Sequence, residues 1–376
     1  PSARTRAPAR KISRRPNFPK SFAALHSASM TSSKSRLLSL LGCVALLAGC
    51  ATTAPTDSAG RPLIRKLGTI DLDLVETTPI VFKGRVYRFE WVRARYEGNQ
   101  IGDHFRLVDR KTGAATEPFA HRCRFGSAFV DGDTVYVTGT RVDDAKFAGG
   151  DNVLVFASRD LETWESWPAL QLPGWEIFNT SLCKTDRDYV LMFEIREPRD
   201  QAGVPFTARF ARSTDLKTWT LTPPECVHAK DRYTAPHALR FLDGWYYNFF
   251  LAAIYHPQRS YEMRVVRSRD LIHWEASPLN PVLKHSDEDK RIANPSLSVQ
   301  QRDRILVAEN SNNSDLDFCE FKGRLLMTYS WGNQTGKEFL AEAEYDGTLE
   351  QFLKGWFPEK TKGHRRPTPM NTDQHR

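Results

Sequence analysis

Apolar and polar residues alternate with a period of two along most of the chain, in short runs broken by glycine and aspartate. Ser127-Ala128-Phe129-Val130 and Val135-Tyr136-Val137 flank Asp131-Gly132-Asp133, which reads as a strand, a tight turn and a returning strand. The same pattern spans Pro79 to Phe89 around Gly84, Ser181 to Phe193 around Asp188, Ala238 to Phe250 around Asp243-Gly244, and Phe318 to Tyr329 around Gly323. Three of these hairpins are followed by a recurring box: Ser158-Arg159-Asp160-Leu161-Glu162-Thr163-Trp164, then Ser213-Thr214-Asp215-Leu216-Lys217-Thr218-Trp219, then Ser268-Arg269-Asp270-Leu271-Ile272-His273-Trp274, each 55 residues after the one before. Ser and Asp suit a turn after an apolar strand, and the Trp opens the next strand. Helical patterning is confined to Leu297–Ala308 and Leu349–Trp356. Five such units predict about twenty short strands, and radially repeated sheets bury each face against the next while leaving few open edges. The expectation is an all-β, five-bladed β-propeller of four-stranded antiparallel blades over residues 67–357.

Charge first points elsewhere, because the 376-residue chain carries a formal +8. Residues 1–49, however, hold nine Lys/Arg and no Asp or Glu, so the remainder carries −1 and no field that would steer it onto nucleic acid. From Met30 the chain runs through Lys34 and Arg36, an apolar stretch from Leu37 to Ala48, and Leu47-Ala48-Gly49-Cys50 before a polar segment. This order is that of a secretion signal, and its end resembles the lipobox of bacterial lipoproteins, which implies acylation of Cys50. The expected organisation is upstream sequence outside the native protein over 1–29, a signal peptide over 30–49, a linker over 50–66, the propeller, and a disordered basic tail over 358–376. No second apolar run is long enough to span a bilayer, so the expectation is a monomer tethered by lipid in the cell envelope, with Ala51 pointing to the outer membrane. Cys123, Cys183, Cys226 and Cys319 match no zinc spacing; three of them fall in apolar strands as buried thiols, and the three possible disulfide connectivities stay open.

The starts of the innermost strands and the ends of their return strands share one face of a propeller, so their polar groups converge. These starts are Glu76-Thr77-Thr78, His121-Arg122-Cys123-Arg124, Asn179-Thr180, Pro236-His237 and Asn312 to Asp317; the return strands end at Glu90, Gly139, Glu194, Leu251 and Trp331. Pairing about Gly84 sets Glu90 opposite Thr78, and pairing about the Thr185 to Asp188 turn sets Glu194 near Asn179. Carboxyl groups facing one another at such a mouth are what glycoside hydrolysis uses, one protonating the leaving oxygen and the other activating water. Glu76, Glu194 and Asp315 are therefore the expected catalytic set, with Glu194 as acid and Glu76 as base. Glu90, Arg122, Arg124, Asn179, His237, Asn312 and Trp331 are the expected carbohydrate contacts. The competing expectation is that Glu90 and Glu194 pair with Arg93 and Arg196. No cofactor is required, and a central cation on Asp315, Asn312 and His237 has no motif behind it.

A hairpin with a Tyr-Tyr or similar aromatic pair, followed by Ser-x-Asp-Leu-x-x-Trp, resembles the glycoside hydrolase family 43 type of propeller from Leu67 to Phe357. That resemblance implies an Asp base on the first strand of blade 1, a modulating Asp in blade 2 and a Glu acid in blade 3. This chain has Glu76 before Thr77-Thr78-Pro79 where Asp-Pro is expected, Arg in blade 2 and Asn179 opening blade 3, so the family triad is not carried across. Nor is the box that of sialidases, which place Gly where Glu162, Lys217 and Ile272 stand. Two functions follow: an exported glycoside hydrolase acting on a polysaccharide or oligosaccharide, or a glycan-binding lipoprotein without catalysis.

Overall fold

Tight turns set the hairpins. Lys83-Gly84, Asp243-Gly244 and Lys322-Gly323 all adopt positive φ at both positions, between 47° and 76°, the turn whose twist matches that of paired strands. The computed structural model describes residues 54–142, 149–336 and 338–359; Cys50, the signal segment and residues 360–376 of the basic tail lie outside them. The first strand, β1 (Arg65–Leu72), leads into blade I, formed by β2 (Thr77–Phe82), β3 (Arg85–Val92) and β4 (His104–Asp109). Its fourth edge is reduced to two bridges, Phe105↔Phe119 and Val108↔Ala115. Pro118 sits in that segment and has no N–H to continue a ladder. Blade II is β5 (Cys123–Asp131), β6 (Thr134–Arg141), β7 (Asn152–Ser158) and β8 (Glu165–Gln171).

Blade III is β9 (Glu176–Lys184), β10 (Tyr189–Glu197), then α1 (Arg199–Ala202) and β11 (Thr207–Ser213), edged by β12 (Thr220–Leu221) and β13 (Val227–His228). Blade IV is β14 (His237–Leu242), β15 (Trp245–Ile254) and β16 (Ser260–Ser268), edged by β17 (Glu275–Ala276) and β18 (Leu283–Lys284). After α2 (Val299–Val307), blade V comprises β19 (Asn312–Phe321), β20 (Arg324–Gly332) and β21 (Glu338–Tyr345), and α3 (Leu349–Gly355) follows. The fourth strand of blade V is β1, antiparallel to β21. The innermost strands β2, β5, β9, β14 and β19 touch in that order, and β19 touches β2, which closes the five-bladed ring.

Apolar side chains on the sheet faces gather between neighbouring blades. Phe82, Phe89, Val135 and Val137 join blades I and II; Val153, Leu170, Leu182 and Leu191 join II and III; Val190, Phe210, Leu239 and Tyr246 join III and IV. The repeated box closes each of these cores from the rim. Asp160, Asp215 and Asp270 each accept two backbone N–H groups through Oδ1 at 2.7–2.9 Å. That turn drives Leu161, Leu216 and Leu271 into left-handed conformations with φ of 62° to 69° and buries all three in successive inter-blade cores. The box tryptophans are half-buried at the outer edge: Trp164 stacks on Phe119 at 3.9 Å, while Trp219 and Trp274 donate to the carbonyls of Leu216 and Val227. No disulfide joins the four cysteines of the propeller; Cys123, Cys183 and Cys226 are buried and Cys319 is half-buried.

Ring closure rests on β1. Lys66 is buried, with Nζ 2.6 Å from Asp289 Oδ1 and donating to Asn313 Oδ1 at 2.7 Å, and the Tyr329 hydroxyl donates to the same Asp289 oxygen. Next to it, Gly68 has φ of 116°, and a Cβ there would lie 2.3 Å from the Arg291 carbonyl oxygen. Replacing Gly68 by Ala is expected to combine backbone strain with overpacking and to cost roughly 2–5 kcal/mol. Urea denaturation checks it, and a variant as stable as wild type would show that the β1 latch is not tight.

Candidate active site

Irregularities in the strands deliver carboxyl groups to the axis. The β19–β20 register breaks between Ser314 and Asp317, and Asp315 takes φ of 53°, so the bulge turns its side chain out of the sheet. In blade III the break falls between Phe193 and Ile195, which leaves Glu194 beside Asn179. In blade II it falls between Arg124 and Ser127, where Gly126 brings the backbone against Phe89 and Phe105. Glu76 comes from the turn between β1 and β2. Glu76, Glu194 and Asp315 thereby line one axial cavity of about 220 Å³. Phe125, Phe178, Phe206 and Tyr233 form part of its wall, and Asn179, Arg93, Gln334 and Glu338 supply further polar groups. A narrower cleft with Thr78, Ser127, Thr180 and His237 continues from it toward the middle of the ring. Larger grooves of about 930 and 610 Å³ occupy the flank between blades I and V, but their charges are spent on ion pairs such as Arg110–Glu342 and Arg324–Glu344.

The three carboxyls sit in different surroundings. Glu76 takes two hydrogen bonds from Arg93 Nη2, at 2.8 and 3.1 Å, while Arg93 Nη1 lies 3.3 Å from Glu338. Burial works against the charge of Arg93, and the two glutamates outweigh it. Asp315 has no cationic partner among the described residues; its Oδ2 accepts from the Ser314 and Ser330 hydroxyls at 2.6 and 2.7 Å. Burial, reinforced by the nearby charge of Glu76, pushes it up to about 8. Glu194 is fully buried, with Oε2 accepting from Asn179 Nδ2 at 2.9 Å and Oε1 2.7 Å from His237 Nδ1. Burial raises it well above the ordinary carboxylate range, against the hydrogen bonds it accepts. Burial likewise pulls His237 down to about 3, so its ring is neutral. Arg196 does not pair with Glu194; it binds Glu176 instead.

Several sequence-based expectations need correcting. Glu90 lies opposite Thr77, one residue from the expected register, and its side chain points away from the axis into ion pairs with Arg88 and Arg106. Arg124 is held by Asp103 at 2.9 Å outside the cavity, and Arg122 is exposed and does not line it. Trp331 is wholly buried, stacks on Phe339 at 4.3 Å and donates to the Thr69 hydroxyl, so it is core and not a sugar platform. Asn312 is buried and donates to Ser314 away from the cavity lining, so Asp315, Asn312 and His237 do not form one cation cage. Reasoning from the two inner strands missed Glu338, which opens the third strand of blade V, and the aromatic wall. The only sequence signal for Phe178 and Phe125 was their place beside the predicted strand starts.

Neither a protein-family model nor a curated protein sequence matches the chain. Among solved structures, a BT0996–RGII complex superposes with a TM-score of 0.50 at 12% identity, over 75% of this chain and 92% of that one. The α-L-arabinofuranosidase Arb93A from Fusarium graminearum gives 0.48 at 12% identity over 76% of this chain and 96% of that one. A xylan β-1,4-xylosidase from Bacillus halodurans C-125 gives 0.47 at 14% identity, over 77% of this chain and 55% of that one. At such identities the likeness is one of fold, that of the five-bladed β-propeller.

The buried acids make stability depend on pH. Asp315 titrates at 3.8 when unfolded and at about 8 when folded, so the folded chain holds the extra proton between those values. Its contribution is complete below the lower value and is lost as pH rises through the upper one. Asp315→Asn is expected to raise Tm by a few degrees at pH 9 and to leave it nearly unchanged at pH 4. Thermal melts across that range check it, and parallel wild-type and variant profiles would contradict a protonated Asp315.

Proposed function

We propose that the protein is a glycoside hydrolase that removes a terminal sugar held in the axial cavity. The observation that carries this is the meeting of three carboxyl groups from three blades in one cavity, two favoured in the protonated form by burial and one held by a guanidinium. Glu194 gives its proton to the glycosidic oxygen as the C–O bond breaks, and Glu76 takes a proton from the water that attacks the anomeric carbon. The products are an alcohol and a reducing sugar. Asp315, neutral and backed by two serine hydroxyls, is a hydrogen-bond donor to a sugar hydroxyl. The aromatic wall offers an apolar surface to the C–H face of the ring. A cavity of about 220 Å³ falls below the ~300–1,000 Å³ usual for drug-sized ligands and suits a single sugar residue. The likeness of box and hairpins to the family 43 type of propeller agrees with this chemistry.

A panel of aryl glycosides and oligosaccharides, read by reducing-sugar release, tests the proposal. On any active substrate, Glu194→Gln and Glu76→Gln are each expected to lower kcat about 10²–10⁴-fold with little change in KM. Wild-type turnover in both variants would overturn the assignment, and binding of a glycan without cleavage would make the protein a glycan-binding module instead. The proposal extends to an exported protein anchored through Cys50. Cys50→Ser is expected to move the protein from the membrane fraction to the soluble one, and an unchanged partition would remove the anchor.

A further inference from the structure

Behind Glu194 lies a chain of two imidazoles that the chemistry above does not use. His237, on the first residue of β14, has Nδ1 2.7 Å from Glu194 Oε1, and its Nε2 lies 3.4 Å from Nδ1 of His228 on β13. Both rings are buried, His228 to 2% exposure. Burial holds both well below the ordinary histidine range, so each ring carries one proton and not two. His228 Nε2 has no hydrogen-bond partner among the described residues. Its aromatic neighbours besides His237 are Phe250, with centroids 4.6 Å apart, and Trp274 at 5.3 Å, whose own Nε1 is spent on the Val227 carbonyl, and the charges of Arg232 and Asp231 act on it.

That unpartnered nitrogen fixes the direction of every hydrogen bond in the row. A buried N–H without an acceptor is rarer and costlier than a bare lone pair, so the single proton of His228 sits on Nδ1, where His237 Nε2 accepts it. His237 Nε2 is then an acceptor, and its one proton is on Nδ1, from which it donates to Glu194 Oε1. Oε1 thus faces a donor, so a proton on it would find no acceptor in the row. A proton on Oε2 finds one in the unpartnered Oδ1 of the cavity-lining Asn179 once that amide turns over, so the proton of the Glu194 carboxyl belongs to Oε2. We propose that His228 and His237 are positioning residues that confine the acid proton of Glu194 to Oε2 and so aim it into the cavity. Neither ring gains or loses a proton in the process, and no step passes through them. The backbone N–H of His237 also donates to the Glu194 carboxyl, and Glu76 and Tyr233 line the same cavity.

The inference rests on the hydrolase reading for its purpose but not for its test. Long-range proton–nitrogen NMR on the 15N-histidine-labelled protein, with His228→Asn and His237→Asn spectra for assignment, reads the tautomers directly. Both His228 and His237 are expected in the Nδ1–H form; an Nε2–H or doubly protonated ring at either position at pH 7 overturns the proposal whether or not any glycoside is cleaved. On an active substrate, His228→Phe removes the donor to His237 and is expected to lower kcat tenfold or more with KM unchanged. His228→Asn, whose amide can donate in place of Nδ1, is expected to restore most of it. Equal kcat in wild type and His228→Phe, or equal loss in both variants, overturns the positioning role. Correct tautomers together with no cleavage of any glycoside leave the row intact and sink the hydrolase reading alone.

Discussion

Five blades enclose an axis only if the last is tied to the first, and here one strand does that. β1 is drawn from the beginning of the fold yet completes blade V, so the ring closes through hydrogen bonds between β1 and β21. A buried ion pair between Lys66 and Asp289 backs them, itself satisfied by Asn313 and Tyr329. Breaking such a pair from one side would strand a charge in the interior, which makes the closure more demanding of its partners than an apolar contact would be. Everything at the axis depends on it. Glu76 follows β1 directly, Asp315 lies on the blade that β1 completes, and their separation is set by how that seam closes.

A closed ring can then support groups that a smaller fold would exclude. Burying Glu194 and Asp315 with no cationic partner among the described residues disfavours their charged forms, and the chain meets this with neutral partners: an asparagine, two serines and a histidine. The inter-blade cores, three of them with a box leucine at the rim, supply the apolar burial that offsets this cost. Among the described residues only Arg93 brings a positive charge to the cavity wall, and two glutamates share it. The result is a wall of acids in unlike surroundings within one cavity, and it is such differences that let two carboxyls of one site take opposite roles.

What the sequence determined by itself was local and periodic. Alternation of apolar residues, X-Gly turns and the Ser-x-Asp-Leu-x-x-Trp box each act over a few residues, and so the blades, their hairpins and both of the longer helices were legible before any contact was known. The convergence of Glu76, Glu194 and Asp315 was legible too, because strand starts in a propeller share one face. The tertiary structure decided which way side chains point. Glu90 and Trp331 occupied plausible places in the pattern, but a one-residue change of register sent Glu90 into Arg88 and Arg106, and the β1 seam covered Trp331. Strand periodicity assigns a face only while the register is regular, and the bulges at Asp315, Glu194 and Gly126 break it where the site is built. The partners that give each carboxyl its state, Arg93 with Glu338 and His237 with His228, come from different strands or blades. Their distances depend on how the ring closes, a quantity that no local pattern encodes.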